Sequence, residues 1–557
     1  MTVLEVLAGW IVLLALATGL GTLVHRLLRA GPAEGLERAW VGWAALIATS
    51  EVWHLFLAID MRFVAVMSVP AGAGLVLAAR NRQPTDRIAR VAAISTGVLA
   101  IGLALFALKP ASNPDDGVYY VQAVRWLEQF RAVPGLANLN ERLGFNDAYF
   151  NFVALCDAGP MRLHGQHLAN SFTVLLLLGA SLDGLIRFLG WRRPVARHAV
   201  LAAFLLPPLF DLALARISSP SADAVVFTFG AALLLRALEA SGHPGDAKSI
   251  PGLIAIDALL CSVALTIKPV MLFTAVPAAT LLGLARVRAS AKGKRLKLAS
   301  IALAMGAMVG LPWIAHGLIT SGYPFYPFTL GGLAVDWRLP APVAHREAAY
   351  AWAFARLNAS RLTFKPRLAG TWGWVPYWLR NKLLDNRAFF VPMALGLGTF
   401  VVAGVVAVWR RLWPRRNAGF AGAVILGLAL WFFLAPAERF AGPLFWAFAA
   451  AGMLLAGEVL GIRSRLSARQ LASALLVVSI GGAFAGTPLG IHVPATLPAF
   501  PTSVRYRYRG RRGEQIISAK GACFEAICPF DFDGTVAWRH PGRAIDGFRP
   551  TGHPDDR

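Results

Sequence analysis

Asn113-Pro114-Asp115-Asp116-Gly117-Val118-Tyr119-Tyr120 sets two carboxylates just past an apolar run and just before an amphipathic stretch. Acids at the edge of a membrane are rare unless they cap a helix or do chemistry. Both readings stand for this pair. Asp116 has the position of an N-cap for a helix over 117–130, and a cap fixes a carboxylate at a defined place, which is also what a catalytic carboxylate needs. The reading of the chain therefore turns on what surrounds these acids.

Upstream and downstream, the sequence is apolar almost throughout. Of its 557 residues, 57% are hydrophobic and 15% charged, and the mean hydropathy is +0.56. Apolar runs long enough to span a bilayer cover 3–24, 39–59, 62–79, 91–108, 168–186, 196–214, 222–240, 252–267, 270–285, 298–318, 388–408, 418–435, 440–460 and 470–487. This predicts an all-α integral membrane protein of about fourteen transmembrane helices, the pair around Lys268-Pro269 being the least sharply divided. The N-terminus lacks the positive start of a cleavable signal, so the first run reads as a retained helix.

The net charge of +24 would suit nucleic acid, but its placement argues against such a partner. One set of alternate connections carries Arg26, Arg29 and Arg38, then Arg80, Arg82, Arg87 and Arg90, and later Arg286, Arg288 and Arg410 to Arg416. The other set is mixed, with Asp60/Arg62, Asp211/Arg216/Asp223, Lys268 and Glu438/Arg439. By the positive-inside rule both termini lie outside, so much of the basic charge is topological. The chain then divides into N-terminal transmembrane helices (1–108), an exported loop with the acid pair (109–167), a transmembrane core (168–318), a second exported loop (319–387), C-terminal transmembrane helices (388–487) and an exported tail (488–557).

In the first exported loop, Tyr120, Val124, Leu127 and Phe130 share one face of a predicted helix and Gln122, Arg125 and Gln129 the opposite one. Such a helix is expected to lie in the interface, apolar side toward lipid. After the turn-rich Val133-Pro134-Gly135-Leu136-Ala137-Asn138-Leu139, a second short helix is expected from Asp147 to near Ala158, with Asn146 or Asp147 as its cap. Three outer connections supply charges for an anion. Arg216 stands in Ile217-Ser218-Ser219-Pro220-Ser221-Ala222-Asp223's flank, Lys268-Pro269 breaks an apolar stretch, and Glu438-Arg439 lies between two spans. Asp223 could instead pair with Arg216, and Glu438 with Arg439. The second exported loop opens Ser321-Gly322-Tyr323-Pro324-Phe325-Tyr326-Pro327 and is rich in Trp, which reads mainly as an aromatic belt. The tail holds Arg505-Tyr-Arg-Tyr-Arg-Gly-Arg-Arg512, alternating like a strand, and Cys523 and Cys528. Two nearby cysteines in an oxidising compartment form a small structural disulfide more readily than a metal site, although His540 and His553 are at hand. There is no P-loop, dinucleotide fingerprint, zincin helix or nucleophile elbow.

With these residues in view, the chain resembles the GT-C superfamily of integral-membrane glycosyltransferases, in which an acid opens the first large exported loop and interfacial helices follow it. More narrowly, Asp116-Gly-x-Tyr-Tyr-x-x-Gln, 133–139, Arg142-Leu-Gly-Phe-Asn146, 217–223, 322–327 and the Cys-containing tail look like an uncharacterised family of bacterial multi-pass membrane proteins. In the superfamily the key Asp follows the first helix; here it follows about the fourth.

The resemblance implies an inverting transfer of sugar from a polyprenyl-phosphate donor to a periplasmic glycan, lipid or protein, in the bacterial inner membrane. Asp116, followed directly by Gly117-x-Tyr-Tyr, or Asp115 would be the general base. Arg216, Lys268 and Arg439 would hold the phosphate, and Tyr119, Tyr120 and Gln122 would contact substrate. No cofactor is required; a divalent Mg or Mn ion bridging Asp and phosphate is compatible with such a site. The rivals are a transporter or flippase of a lipid-linked or anionic substrate, using Lys268 and Asp223, and a polysaccharide polymerase or ligase. An enzyme should show an outward cavity with Asp115 or Asp116 on its wall. A transporter should show two related helical halves. If the tail is exported, thiol labelling without reductant should miss Cys523 and Cys528, and ready labelling of both would refute the disulfide.

Overall fold

The computed structural model describes residues 1–31, 36–80, 87–110, 113, 115–190, 217–357, 371–380, 387–461, 506–509, 515–518, 536–540 and 543–551. Its helices are α1 (Val3–Leu27), α2 (Glu37–His54), α3 (Met61–Arg80), α4 (Arg87–Ala107), α5 (Val121–Gln129), α6 (Tyr149–Cys156), α7 (Gly165–Gly190) and α8 (Asp223–Gly242). There follow α9 (Ile250–Ile267), α10 (Leu272–Ala289), α11 (Arg295–Ser321), α12 (Ala341–Leu357), α13 (Trp374–Trp378), α14 (Arg387–Arg410), α15 (Ala418–Leu434) and α16 (Leu444–Val459). Among the described residues, nine helices are long and apolar enough to cross a membrane, and α15 and α16 are shorter apolar helices. The expected spans 196–214 and 470–487 lie outside the described residues.

The distribution of apolar surface explains why this is a membrane protein. Helices α8 and α9 are buried along most of their length. By contrast α3, α4, α11 and α14 expose Val69, Ile94, Leu303 and Val405, each more than three-fifths accessible. Contiguous apolar surface on that scale needs a non-aqueous cover, and lipid supplies it. α2 departs from the expectation of a plain apolar span over 39–59. It carries Glu37, Arg38, Glu51 and His54, and it packs between α1 and the helices that follow.

One end of the bundle is fastened by buried charge. Asp257 of α9 accepts from Arg236 Nε of α8 at 2.6 Å and from Arg286 Nε of α10 at 3.0 Å. Arg236 also bonds Glu37 of α2, and Arg286 Nη1 donates to the Pro244 carbonyl at 2.5 Å. Four helices are thereby tied by two carboxylates and two guanidiniums.

At the other end, the segment between α4 and α7 is a buried plug. All eight residues of α6 are buried. In α5, Gln122 and Arg125 are as buried as Val124 and Leu127, so the expected face toward lipid is packed into protein instead. The physical reason is that Arg125 is neutralised internally: its Nη1 donates to Glu128 at 2.9 Å and to Asp157. The tail adds four short strands in two antiparallel pairs, β1 (Tyr506–Arg509) with β2 (Gln515–Ser518) and β3 (Val536–Trp538) with β4 (Phe548–Pro550). β4 docks on the plug: Phe548 N donates to the Pro134 carbonyl at 3.0 Å, and the Phe548 ring meets Trp126 edge-on at 5.8 Å. Gly547, at φ 92°, makes this approach possible, since a Cβ there would lie 2.0 Å from the Pro134 oxygen.

Asp257→Ala should leave two buried guanidiniums without their shared counterion and cost about 3–5 kcal/mol. Thermal unfolding of the detergent-solubilised protein measures this; an unchanged melting temperature would show that the network carries no stability.

Candidate functional site

The acid pair opens a five-residue π-turn, Asp116–Tyr120, that runs straight into α5. Neither acid makes a side-chain cap bond to that turn. Asp116 is almost fully buried and is held from two directions. Ser219 Oγ donates to its Oδ1 at 2.5 Å, and the Asn113 N–H donates to its Oδ2 at 3.2 Å. Burial pushes its pKa up to about 7, with Asp115 adding to the rise and the bonds from Ser219 and Asn113 opposing it. Asp115 is partly exposed and accepts from Arg142 Nη1 at 2.9 Å. Arg142 in turn lies over the Tyr119 ring at 5.4 Å.

Ser219 is placed by its neighbours. Asn170 of α7 donates to the Ser219 carbonyl and, at 3.0 Å, to the Ser221 carbonyl. Its own Oδ1 accepts from the Tyr149 hydroxyl of α6 at 2.6 Å. The 217–223 segment is thus locked between α7 and the plug, and the run ends in Asp223 at the first residue of α8.

Asp223 collects the cations. Lys268 Nζ lies 2.7 Å from its Oδ1, and Arg439 Nη1 3.6 Å from its Oδ2. Lys268 ends α9 in extended backbone because Pro269 follows it and disfavours the helical region at the preceding residue. Burial works against the charge of Lys268, but Asp223 and, more weakly, Tyr120 and Asp147 raise its pKa above the ordinary lysine range. Arg439 comes from the turn between α15 and α16 and faces Asp223, Tyr120, Tyr119 and Asp115, so it is an arm of the site. Two cations share one carboxylate here, beside the tyrosines.

The carboxylate that sequence reasoning passed over is Asp147. It was expected to cap α6, yet α6 carries no side-chain cap bond. Asn146 points instead at α11, donating to the Trp313 carbonyl at 2.5 Å and meeting His316 Nδ1 at 2.7 Å. Asp147 faces Lys268 and Asp223, and burial raises its pKa to about 6, with Lys268 opposing the rise and Asp223 adding to it. It also lines a cavity with Glu51, His54, Trp126, Phe150 and His316. The wall of that cavity carries Asp147, where Asp115 or Asp116 was expected. The missed signal is a carboxylate whose partners lie far off in sequence.

Asp115, Asp116, Tyr119, Tyr120, Lys268 and Arg439 lie in one region of the structure. Gln122 is fully buried in α5. Arg216, Cys523 and Cys528 lie outside the described residues. Asp115 Oδ1 is engaged by Arg142, and the two carboxylate oxygens of Asp116 by Ser219 and the Asn113 N–H. Among the described residues, no three His, Cys, Asp or Glu are arranged to hold a metal.

A family model described as a domain of unknown function, DUF8201, matches residues 3–446, and the chain belongs to that family. No curated protein matches the chain.

Proposed function

We propose that this member of the DUF8201 family is a glycosyltransferase of the bacterial inner membrane, multi-pass with both termini periplasmic. It moves a sugar from a polyprenyl-phosphate donor to a periplasmic glycan, lipid or protein, with inversion. The observation that carries this reading is Asp147, a buried carboxylate that lines a cavity and faces Lys268, which Asp223 holds together with Arg439.

In the reaction, the acceptor oxygen bonds to the anomeric carbon as that carbon's bond to the phosphate oxygen breaks. The bonding electrons leave with the phosphate. The acceptor's proton passes to a carboxylate acting as general base. Asp147 is best placed for this, since it lines the cavity and faces Lys268, whereas Asp116 is tied at both oxygens by Ser219 and Asn113. Asp116 then holds the 217–223 segment, and through it the start of α8, in register with the plug. Lys268 and Arg439 stabilise the charge that grows on the leaving phosphate. Arg142, neutralised by Asp115, lines the approach over Tyr119 and Tyr350.

The test compares membranes carrying wild type, Asp147→Asn, Asp116→Asn and Asp115→Asn by mass spectrometry of lipid-linked sugars and surface glycans. Asp147→Asn should lower transfer by about 100-fold or more, as loss of a general base does, and the donor should accumulate. Unchanged turnover in all three variants would sink the reading. A base acts only when deprotonated, so wild-type transfer should fall as pH drops through the range from about 7 to about 6, where Asp116 and Asp147 take up protons. A rate flat across that range would remove Asp147 from the proton transfer. Lys268→Met should weaken donor binding and slow transfer by about 10–1,000-fold, as loss of one charge-stabilising group does, and a variant with wild-type kinetics would exclude it from the phosphate site.

A further inference from the structure

The end of the bundle fastened by Asp257 carries two basic connections that the candidate site does not use. Between α10 and α11 the chain runs Arg288-Ala-Ser-Ala-Lys292-Gly-Lys294-Arg295-Leu296-Lys297. Between α14 and α15 it runs Trp409-Arg410-Arg411-Leu412-Trp413-Pro414-Arg415-Arg416. No Asp or Glu stands between 258 and 335 or between 386 and 437, so neither connection brings its own counter-charge.

The packing sets the two side by side. A Cβ on Gly427 of α15 would meet the Phe273 carbonyl at the start of α10, and one on Gly419 would meet Leu281 further along it. α10 and α15 are therefore antiparallel, and the end of one adjoins the beginning of the other. Glu458 of α16 packs against the second connection, but its oxygens are spent on backbone. Oε1 accepts from the N–H groups of Arg415 at 2.9 Å and Arg416 at 3.0 Å, and Oε2 from that of Asn417 at 3.2 Å. Arg410 Nη1 donates to the Val459 and Leu460 carbonyls at the end of α16. Those bonds fix the backbone of the connection and leave the guanidiniums of Arg411, Arg415 and Arg416 to face outward.

The apolar residues between the cations name the partner. Val401, Val405 and Val408 form an exposed stripe along α14, and the stripe runs on into Trp409 and Trp413, which are 79% and 81% exposed. Leu296, between Arg295 and Lys297, is 84% exposed. Indoles that continue a lipid-facing stripe past the end of an apolar helix stand at the level of the headgroups. Cations at that level meet lipid phosphates, and a guanidinium matches a phosphate with two parallel donors. Orientation by positive charge calls for no particular lipid, whereas exposed indoles among outward guanidiniums offer a phosphate and its acyl chains a contact each.

We propose that these two connections form a docking surface for anionic phospholipids, whose phosphates lie among the cations of both while Trp409, Trp413 and Leu296 enter the acyl boundary. The surface stands on the membrane embedding of the helices and is independent of the transferase reading.

The experiment is native mass spectrometry of the full chain in detergent, titrated with phosphatidylglycerol, phosphatidylethanolamine and phosphatidylcholine in equal amounts. Wild type should retain phosphatidylglycerol in preference to the other two, and added salt should weaken that preference. Arg411→Gln, Arg415→Gln and Arg416→Gln in one connection, and Lys294→Gln and Lys297→Gln in the other, should each weaken phosphatidylglycerol by about fivefold. Trp413→Ala should weaken all three lipids alike. The two connections are tested separately, so a variant that fails to fold leaves the other set to decide. Equal retention of the three lipids by wild type would overturn the proposal, as would phosphatidylglycerol binding unchanged in both charge sets. Retention of an added RNA oligonucleotide with no preference among the lipids would assign the cations to nucleic acid and overturn it too.

Discussion

The Asp223 carboxylate is the interaction on which the rest of the plug end of the bundle depends. It begins α8, and it holds Lys268 from the break between α9 and α10 and Arg439 from the turn between α15 and α16. Three separate connections are therefore drawn to one point by a single buried anion. Removing one partner of such a cluster costs far more than the cluster contributes relative to an apolar replacement. Its presence is better explained by a need for charge at that place than by stability. Asp257 plays the matching part at the other end, where Arg236 and Arg286 share it and Glu37 completes the cluster. The two ends use the same chemistry, a buried carboxylate shared by two cations.

The Asp223 cluster lies where the plug meets the bundle. α5 and α6 would be ordinary interfacial helices if Arg125 were in water. Asp157 and Glu128 take its charge inside the protein, and Asp157 also accepts from the His164 and Gly165 N–H groups, which starts α7. The plug is thereby fixed to the transmembrane core, and the acids at 115, 116 and 147 become rigid parts of it. A site on a fixed plug keeps its geometry without waiting for substrate to order a loop.

The sequence makes the helices legible because apolar length is a local property. It also makes the break at Lys268-Pro269 legible, since proline acts on its immediate neighbour. The direction in which a side chain points is set by partners remote in sequence. Asn146 turns away from capping because Trp313 and His316 lie beside it, and Asp147 is released to face Lys268. The amphipathic pattern of α5 was read correctly, but a polar face can meet buried carboxylates as well as water, and only the position of Asp157 decides. α2 was read as a span although Glu51 and His54, three residues apart on one helix face, already marked it as facing something polar.

On the transferase reading, the placement of Asp147 between two environments has a kinetic consequence. Lys268 lowers its proton affinity, while burial and Asp223 raise it. A phosphate that binds Lys268 and Arg439 offsets their field, and the carboxylate of Asp147 then holds a proton more tightly. Donor binding thus strengthens the base at the moment an acceptor hydroxyl must give up its proton. With the donor absent, Lys268 keeps Asp147 a weaker base, which disfavours activation of water in an empty site. A lysine closer to Asp147 than to Asp223 would forfeit this coupling by holding the acid permanently ionised, so the 2.7 Å contact between Lys268 and Asp223 is as much a part of the proton transfer as the base itself.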